Sequence, residues 1–212
     1  MIGVVRVGVN HLNSKHLLIS MRHFIYFSNK AQTSGNFRTD DLMKAGRMDI
    51  VCNVIISAIS LSHRIRDDVH MHLILNGPPN QPVHIELISS EEIPISKKDV
   101  AGLIKRLLYK CNSDKKTKVF PGGYVEKKSL QQVLKELQGD GLTIQVLDPK
   151  GESLRSLKDS ELKDSAFLIG DHEGLPKKEL KRYKNKLSVG KPTYFASQTI
   201  TIIHNEIDLR EI

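Results

Sequence analysis

The chain has no tryptophan, only two cysteines and 5% aromatic residues in 212 positions. Cys52 and Cys111 stand far apart and in no metal-type spacing. They read as two small core residues in a reducing cytoplasm, not as a disulfide or thiolate-metal framework. Few aromatics argue against a stacking platform for single-stranded nucleic acid, and a preformed pocket that takes up one extruded base fits better. No stretch approaches the roughly 20 apolar residues of a membrane-spanning helix, so no membrane partner is expected. Several catalytic signatures are also missing: GxGxxG, the Walker phosphate loop, HExxH, GxSxG and paired CxxC. The nine histidines are scattered. His70 and His72 would share one face of a strand, better read as an exposed or satisfied surface pair than as metal ligands, so no metal is expected.

Base, by contrast, is in excess. The chain carries 32 Lys and Arg against 24 acids, a net charge of +8, which favours a polyanionic partner through counterion release. Charge alone does not decide this, because solvated lysine faces are common. With 39% hydrophobic and 26% charged residues, the length suits one globular domain with a sizeable core. Residues 1–20 have no cationic start and no cleavage-site pattern, so they make a poor signal peptide. We read them as a poorly ordered extension or a start-site artefact, ahead of a single domain over residues 21–212.

Met21 opens a strand-like run to Ser28. A helical period follows from about Gly46 to His63, with Met48, Val51, Ile55 and Ile59 on one face. Strands are predicted at Val69–Leu75 and Val83–Ile88, joined by a Pro-rich tight segment. Ser96 caps a helix that turns Val100, Leu103, Leu107 and Cys111 inward. Residues 112–123 read as a mobile Lys-rich loop. Ser129–Leu137 reads as a helix, and Leu142–Leu147 and Ala166–Ile169 as strands. Pro176 leads a basic helix, Lys177–Asn185. A strand at Leu187–Val189, the loop Gly190–Ser197 and a terminal helix close the pattern. Such alternation means an α/β fold with a mostly parallel sheet. Ligands in such sheets sit beyond the carboxyl ends of the strands, which points to the Gly- or Pro-rich loops Leu147–Gly151, Gly170–Leu175 and Gly190–Ser197.

Gly170-Asp-His-Glu-Gly174 is the most specific of these. Glycine at both ends of a strand-to-helix turn permits close backbone approach to a ligand, although a tight turn capped by Asp171 would use the same residues. Leu168-Ile-Gly-Asp-His-Glu-Gly174, Leu187-Ser188 and Ile200-Thr-Ile-Ile-His-Asn-Glu-Ile-Asp208 resemble the TrmY group of SPOUT-class methyltransferases. Gly46-Arg-Met-Asp49, Leu61-Ser-His63, Arg66-Asp-Asp-Val69, Gly77-Pro-Pro-Asn80 and Pro121-Gly-Gly-Tyr-Val125 extend the resemblance from about Met21 to Asp208, in the family's order. Two segments depart from it: Phe195-Ala-Ser-Gln-Thr199 replaces the group's His-Ala-Asn-His-Cys, and Glu126 and Lys127 stand where two arginines are expected.

The resemblance implies a SPOUT-type sheet closed by a C-terminal deep trefoil knot, with knot and cofactor site at about 142–212, and a cytoplasmic homodimer. It implies transfer of a methyl from S-adenosylmethionine to N1 of the pseudouridine at position 54 of tRNA. Cofactor contacts carry over to Leu147, Gly170, Val189, Lys191, Pro192, Thr193, Tyr194 and Thr199. RNA contacts are placed at Arg66, Asn80, Lys127, Lys177 and Lys178. A related SPOUT enzyme acting on a ribosomal-RNA base, or a knotted RNA-binding protein without activity, are the alternatives.

The nucleophilic nitrogen must lose its proton as the methyl arrives, so a base is wanted. Arg47 and Asp49 fall in the first turn of a helix, whose amino end favours anions. Arg47 is the candidate to orient the base or its phosphate, and Asp49 the candidate proton acceptor. Each also has a plainer account, Asp49 as a dipole-compensating acid and Arg47 in a surface ion pair with Asp49 or Asp67. Asp171 and Asn80 are next in line for the pocket. His204 and Asn205 read equally well as packed polar groups.

Overall fold

A computed structural model of the protein describes residues 21–212; the extension expected at 1–20 lies outside the described residues. One eight-stranded sheet runs from Arg22 to Ser188 in the order β10-β8-β9-β1-β4-β5-β7-β6. Its central strands are β1 (Arg22–Ser28), β4 (Val69–Leu75) and β9 (Ser165–Gly170), flanked by β8 (Thr143–Ser153) and β10 (Lys186–Ser188). All pairings among these five are parallel. Beyond β4 the sheet turns antiparallel, through β5 (Val83–Ile88), β7 (Gly123–Glu126) and the edge strand β6 (Thr117–Phe120).

The two faces bury different cores. On one, α1 (Met48–Ile59), α2 (Lys97–Tyr109) and α5 (Ala196–Leu209) pack over Phe24, Tyr26, Met71 and Phe167. On the other, α3 (Leu130–Gly139) covers Ile25, Phe27 and Leu168. Helix α3 shows how little sequence this takes. Ser129 forms a capping box with Gln132, and Leu130, Val133, Leu134 and Leu137 bury one face; each such burial contributes about 1.5–3 kcal/mol before ordering costs. Helix α1 buries Met48, Val51, Cys52, Val54, Ile55, Ala58 and Ile59 because it is sandwiched between the sheet and its neighbouring helices. Burial pushes the Cys52 thiol up to about 12, so it is an inert core residue.

Three expectations need correcting. Helix α1 stops at Ile59, because Ser60–Leu61 (β2) pairs back on Arg64–Ile65 (β3) in a tight hairpin with His63 at φ 63°. The Lys-rich segment 112–123 is in large part the β6–β7 hairpin; lysine is what an exposed edge strand carries to discourage further pairing. Residues 177–185 form turns, not a basic helix. A helix there would stack Lys177 on Lys181 and Lys178 on Arg182, like charges one turn apart. Leu180 and Tyr183 anchor the segment in the core beside α3, and Gln131 of that helix hydrogen-bonds the Glu179 carbonyl and the Arg182 guanidinium.

Helix α5 is tied back to the opposite end of the sheet from the Gly170 loop. Asp208 accepts from Arg22 at 2.6 Å and from both terminal nitrogens of Arg66 at 3.0 and 2.5 Å. Burial alone would raise the Asp208 carboxyl, but these two guanidiniums bring it down to about 2. His204 is a packed polar group: buried, with Nε2 2.9 Å from the Ala58 carbonyl and Nδ1 3.1 Å from Arg22. Asn205 on the same helix is exposed.

Candidate active site

The middle of β8 and the carboxyl ends of β9 and β10 open onto one cavity of about 840 Å³. Seven of the eight residues expected to hold a cofactor line it: Leu147, Gly170, Val189, Pro192, Thr193, Tyr194 and Thr199. Lys191 is exposed and is not part of the lining. Leu147 follows the last β8 residue paired with β9, in a stretch expected as a loop but extended as strand, Gly170 ends β9, Val189 follows β10, and Thr199 enters from the first turn of α5. Three loops far apart in sequence thus converge because their strands are parallel neighbours.

Gly170 is a glycine for a steric reason. A Cβ there would lie 2.9 Å from the Gly174 carbonyl carbon and 3.0 Å from the Leu175 side chain. The backbone of the 171–174 turn therefore folds directly against the strand end, closed by the Gly174 amide on the Asp171 carbonyl at 2.9 Å. Leu180 and Tyr183, which the sequence reading placed on a basic helix, line the cavity instead. The clue was present: two apolar residues three apart in an otherwise basic segment.

Among the described residues two carboxylates line the cavity, Asp148 and Asp171. The backbone amide of Lys150 and the Lys186 ammonium, at 3.0 and 2.9 Å, hold the Asp148 carboxyl below its usual range. Asp148 was not singled out in the sequence, since an acid in a strand-end loop is commonplace. Asp171 is fixed on both oxygens. Oδ2 accepts from Ser28 Oγ at 3.0 Å and the Asn29 amide at 2.9 Å, and Oδ1 accepts from the Glu173 amide at 2.8 Å. Lys150, Lys177, Lys181, Lys184 and Lys186 also belong to the lining, whereas Lys178 is exposed and outside it.

Arg47 and Asp49 do not line this cavity. They form a two-pronged pair at the start of α1, both contacts 3.0 Å. Arg47 sits at φ 65° and ψ 40°, a left-handed conformation that costs a non-glycine residue about 1–2 kcal/mol, and its side chain remains 38% exposed. The Arg47 guanidinium keeps the Asp49 carboxyl below its usual range, so Asp49 is ionised but weakly basic. The buried Tyr26 links the two regions. Burial and the Asp171 and Asp49 carboxylates raise its hydroxyl, which Ser28 and Arg47 lower in part.

The expected RNA residues separate. Asn80 and Lys127 meet at the same end of the sheet as the cavity, the Lys127 ammonium donating to the Asn80 carbonyl while the Asn80 amide donates to Thr33 Oγ1 at 2.7 Å. Arg66 lies at the other end, 9% exposed and engaged by Asp208. The histidines also need correcting: His72 is 5% exposed, not part of a surface pair, and His70 is half-buried against Glu86.

Residues 21–212 match the family model described as "Putative SAM-dependent RNA methyltransferase". The tRNA (pseudouridine(54)-N(1))-methyltransferase of Methanosarcina acetivorans is 34% identical, over 90% of this chain and 92% of its own. That of Methanococcoides burtonii is 35% identical over 89% and 96% respectively, and that of Methanocaldococcus jannaschii 33% over 91% and 98%. The crystal structure of Archaeoglobus fulgidus Nep1 bound to S-adenosylhomocysteine superposes with a TM-score of 0.62 at 15% identity, covering 91% of this chain and all of that one. That likeness shows a shared fold. With a family match from Met21 to Ile212 and relatives at a third identity over nine-tenths of its length, the chain belongs to the SAM-dependent RNA methyltransferases.

Proposed function

We propose that the protein methylates N1 of the pseudouridine at position 54 of tRNA, as its relatives' names describe, with S-adenosylmethionine bound in the cavity. The observation that carries this reading is the convergence of Leu147, Gly170, Val189 and Thr199 on one cavity in a chain of this family. The site suits the donor chemically. Leu180, Tyr183 and Leu187 supply an apolar surface for a nucleoside, the strand ends supply backbone groups, and Asp148 and Asp171 offset a sulfonium charge.

S-adenosylmethionine supplies an activated methyl on a cationic sulfur, so the transfer calls on no metal. The protein's part is to position the base and hold the departing proton. Asp171 is the better-placed acceptor, since it lines the cavity and three donors fix its orientation. Asp49, the sequence candidate, is paired to Arg47 beside it. We assign that pair to orienting the incoming nucleotide, Arg47 through its exposed guanidinium. Lys177, Lys181 and Lys184 with Asn80 and Lys127 would meet RNA phosphates, Lys178 adding long-range charge. Arg66 we assign to holding α5 in place.

The same reading makes residues 21–212 one SPOUT-type domain with a trefoil knot within about 142–212, acting in the cytoplasm as a homodimer. Strand β10 beside the extended end of β8, followed by the return of α5 onto α1, is consistent with such threading. Phe195, 75% exposed, and Tyr194, 36% exposed, offer apolar surface beside the cavity for a second copy to cover. Sedimentation at micromolar concentration is expected to give twice the chain mass.

The deciding experiment gives the protein labelled donor and matched tRNAs carrying pseudouridine or uridine at position 54, with nucleosides read by mass spectrometry. Methyl should appear only on the pseudouridine. Label on the uridine RNA, or on ribosomal RNA in preference, would move the substrate elsewhere. No donor binding by calorimetry would leave an RNA-binding protein.

A further inference from the structure

A second cluster of reactive side chains lies on the sheet face that α3 leaves open toward the antiparallel half. It is remote from the cavity: Phe27 pairs with Gly170, and His23 is four residues back along β1, about 13 Å at strand rise. His23 and His70 are direct partners in the β1–β4 ladder, and His72 follows two residues on, hence on the same face. The ring centroids of His23 and His70 are 5.0 Å apart, and those of His70 and His72 4.4 Å. One ligand atom of each lies within 4.8 Å of the other two.

The hydrogen bonds around the cluster fix the tautomers. Ionised carboxylates only accept. His70 Nε2–H therefore donates to Glu86 Oε1 at 2.9 Å, and His84 Nδ1–H to Glu126 Oε1 at 3.1 Å. The remaining lone pair on His84 Nε2 accepts from His72 Nδ1–H at 3.1 Å. His70 Nδ1 and His72 Nε2 are thus left presenting lone pairs. His72 Nε2 and His23 Nδ1 are buried with no hydrogen-bond partner among the described residues, an omission worth about 1–3 kcal/mol for each buried acceptor.

We propose that His23, His70 and His72 hold one zinc-type divalent cation, with Glu86 and the His84–Glu126 pair orienting the ligand rings from behind. Three neutral imidazoles suit zinc, copper or nickel and not magnesium or calcium. A tetrahedral site with bonds of about 2.0 Å has ligand atoms about 3.3 Å apart, which small side-chain rotations reach from the present spacing. Carboxylate and imidazole partners behind His70 and His72 are the usual outer shell of such a centre. Asp140, Glu86 and Glu126 face the cluster with negative charge and Lys116 opposes them. The ion pins β1 to β4 and takes no part in the transfer. It also gives Glu126, which stands where the family resemblance expects arginine, a structural task.

The test uses the untagged full chain, stripped with chelator and titrated at pH 7.5 with Co²⁺, then Zn²⁺. Expected are one equivalent bound, the intense visible bands of tetrahedral cobalt, displacement by zinc, and a zinc-dependent rise in melting temperature. His23→Gln should weaken zinc by 100-fold or more while circular dichroism is unchanged. Glu86→Gln, which keeps all three ligands, should weaken it by about 10- to 100-fold and serves if the first variant fails to fold. Substoichiometric or unsaturable binding, or zinc affinity unaltered in either folded variant, would overturn the proposal and leave ordered water as the partner of His72.

Discussion

The two halves of the sheet do different work with the same backbone. The parallel half, β10-β8-β9-β1-β4, places Ile25, Phe27, Leu168 and Val146 on one face and Phe24, Tyr26 and Phe167 on the other, all buried. Its donor-site chemistry is confined to the segments at its carboxyl side, while β1 also lends His23 to the histidine cluster at the seam with β4. The antiparallel half, β4-β5-β7-β6, carries His70, His72, His84, Glu86 and Glu126 in the body of its strands. The lesson is topological. Parallel strands need crossovers that cover both faces and leave every strand from the same end, whereas hairpins leave a face free for polar groups.

The sharpest way to break this contrast is at Gly170. A Gly170→Leu substitution drives a side chain into the 171–174 turn, and donor affinity measured by calorimetry is expected to fall by more than 100-fold, with zinc titration untouched. A loss of both would mean the halves are coupled. Next comes the proton acceptor. Asp171→Asn should lower kcat by about 100-fold with donor affinity within a few-fold, and Asp49→Asn should cost less; the reverse order would move the base to α1.

Smaller effects belong to stability. Arg66→Ala leaves the Asp208 carboxylate short of a partner and should cost about 2 kcal/mol in urea denaturation, without altering the donor site. The buried rings of His72, His84 and His204 are all held uncharged in the fold, whereas unfolded histidine titrates near 6.5. The fold is thus at full strength above pH about 6.5 and weakens as pH falls toward the folded values, about 4 for His23 and about 3 for His204. Each buried ring contributes a slope of about 1.4 kcal/mol per pH unit in that window. In chelator-treated protein, His84→Gln should flatten the dependence by one such contribution. The smallest effect is Lys177→Ala, which should reduce the salt dependence of tRNA binding by about one counterion, as read by filter binding across salt concentrations.

Much of the fold was legible in sequence because its signals are local. The Ser96 cap, the runs Val69–Leu75 and Val83–Ile88, and the period of α1 each announce an element within a dozen residues. The loops at Gly170 and Gly190 were readable for the same reason. What escaped depended on neighbours distant in the chain. Strand β6 has little apolar pattern and exists because β7 pairs with it. Residues 177–185 carry enough charge to suggest a helix, and their shape is decided by where Leu180 and Tyr183 find a core. The histidine cluster was half visible: His70 and His72 share a strand face by their spacing, but His23 and His84 join them only through sheet register.

The attachment of α5 bears on how the molecule assembles. Asp208 meets Arg22 across 186 residues and Arg66 across 142, so nearly the whole chain must be gathered before the helix gains anything from docking. Contacts of such sequence separation form late and slow the search. Refolding is therefore expected to pass through a species with the sheet formed and α5 undocked, which lacks Ala196 and Thr199 in its cavity wall. Donor binding, followed in real time, would lag behind the recovery of secondary structure.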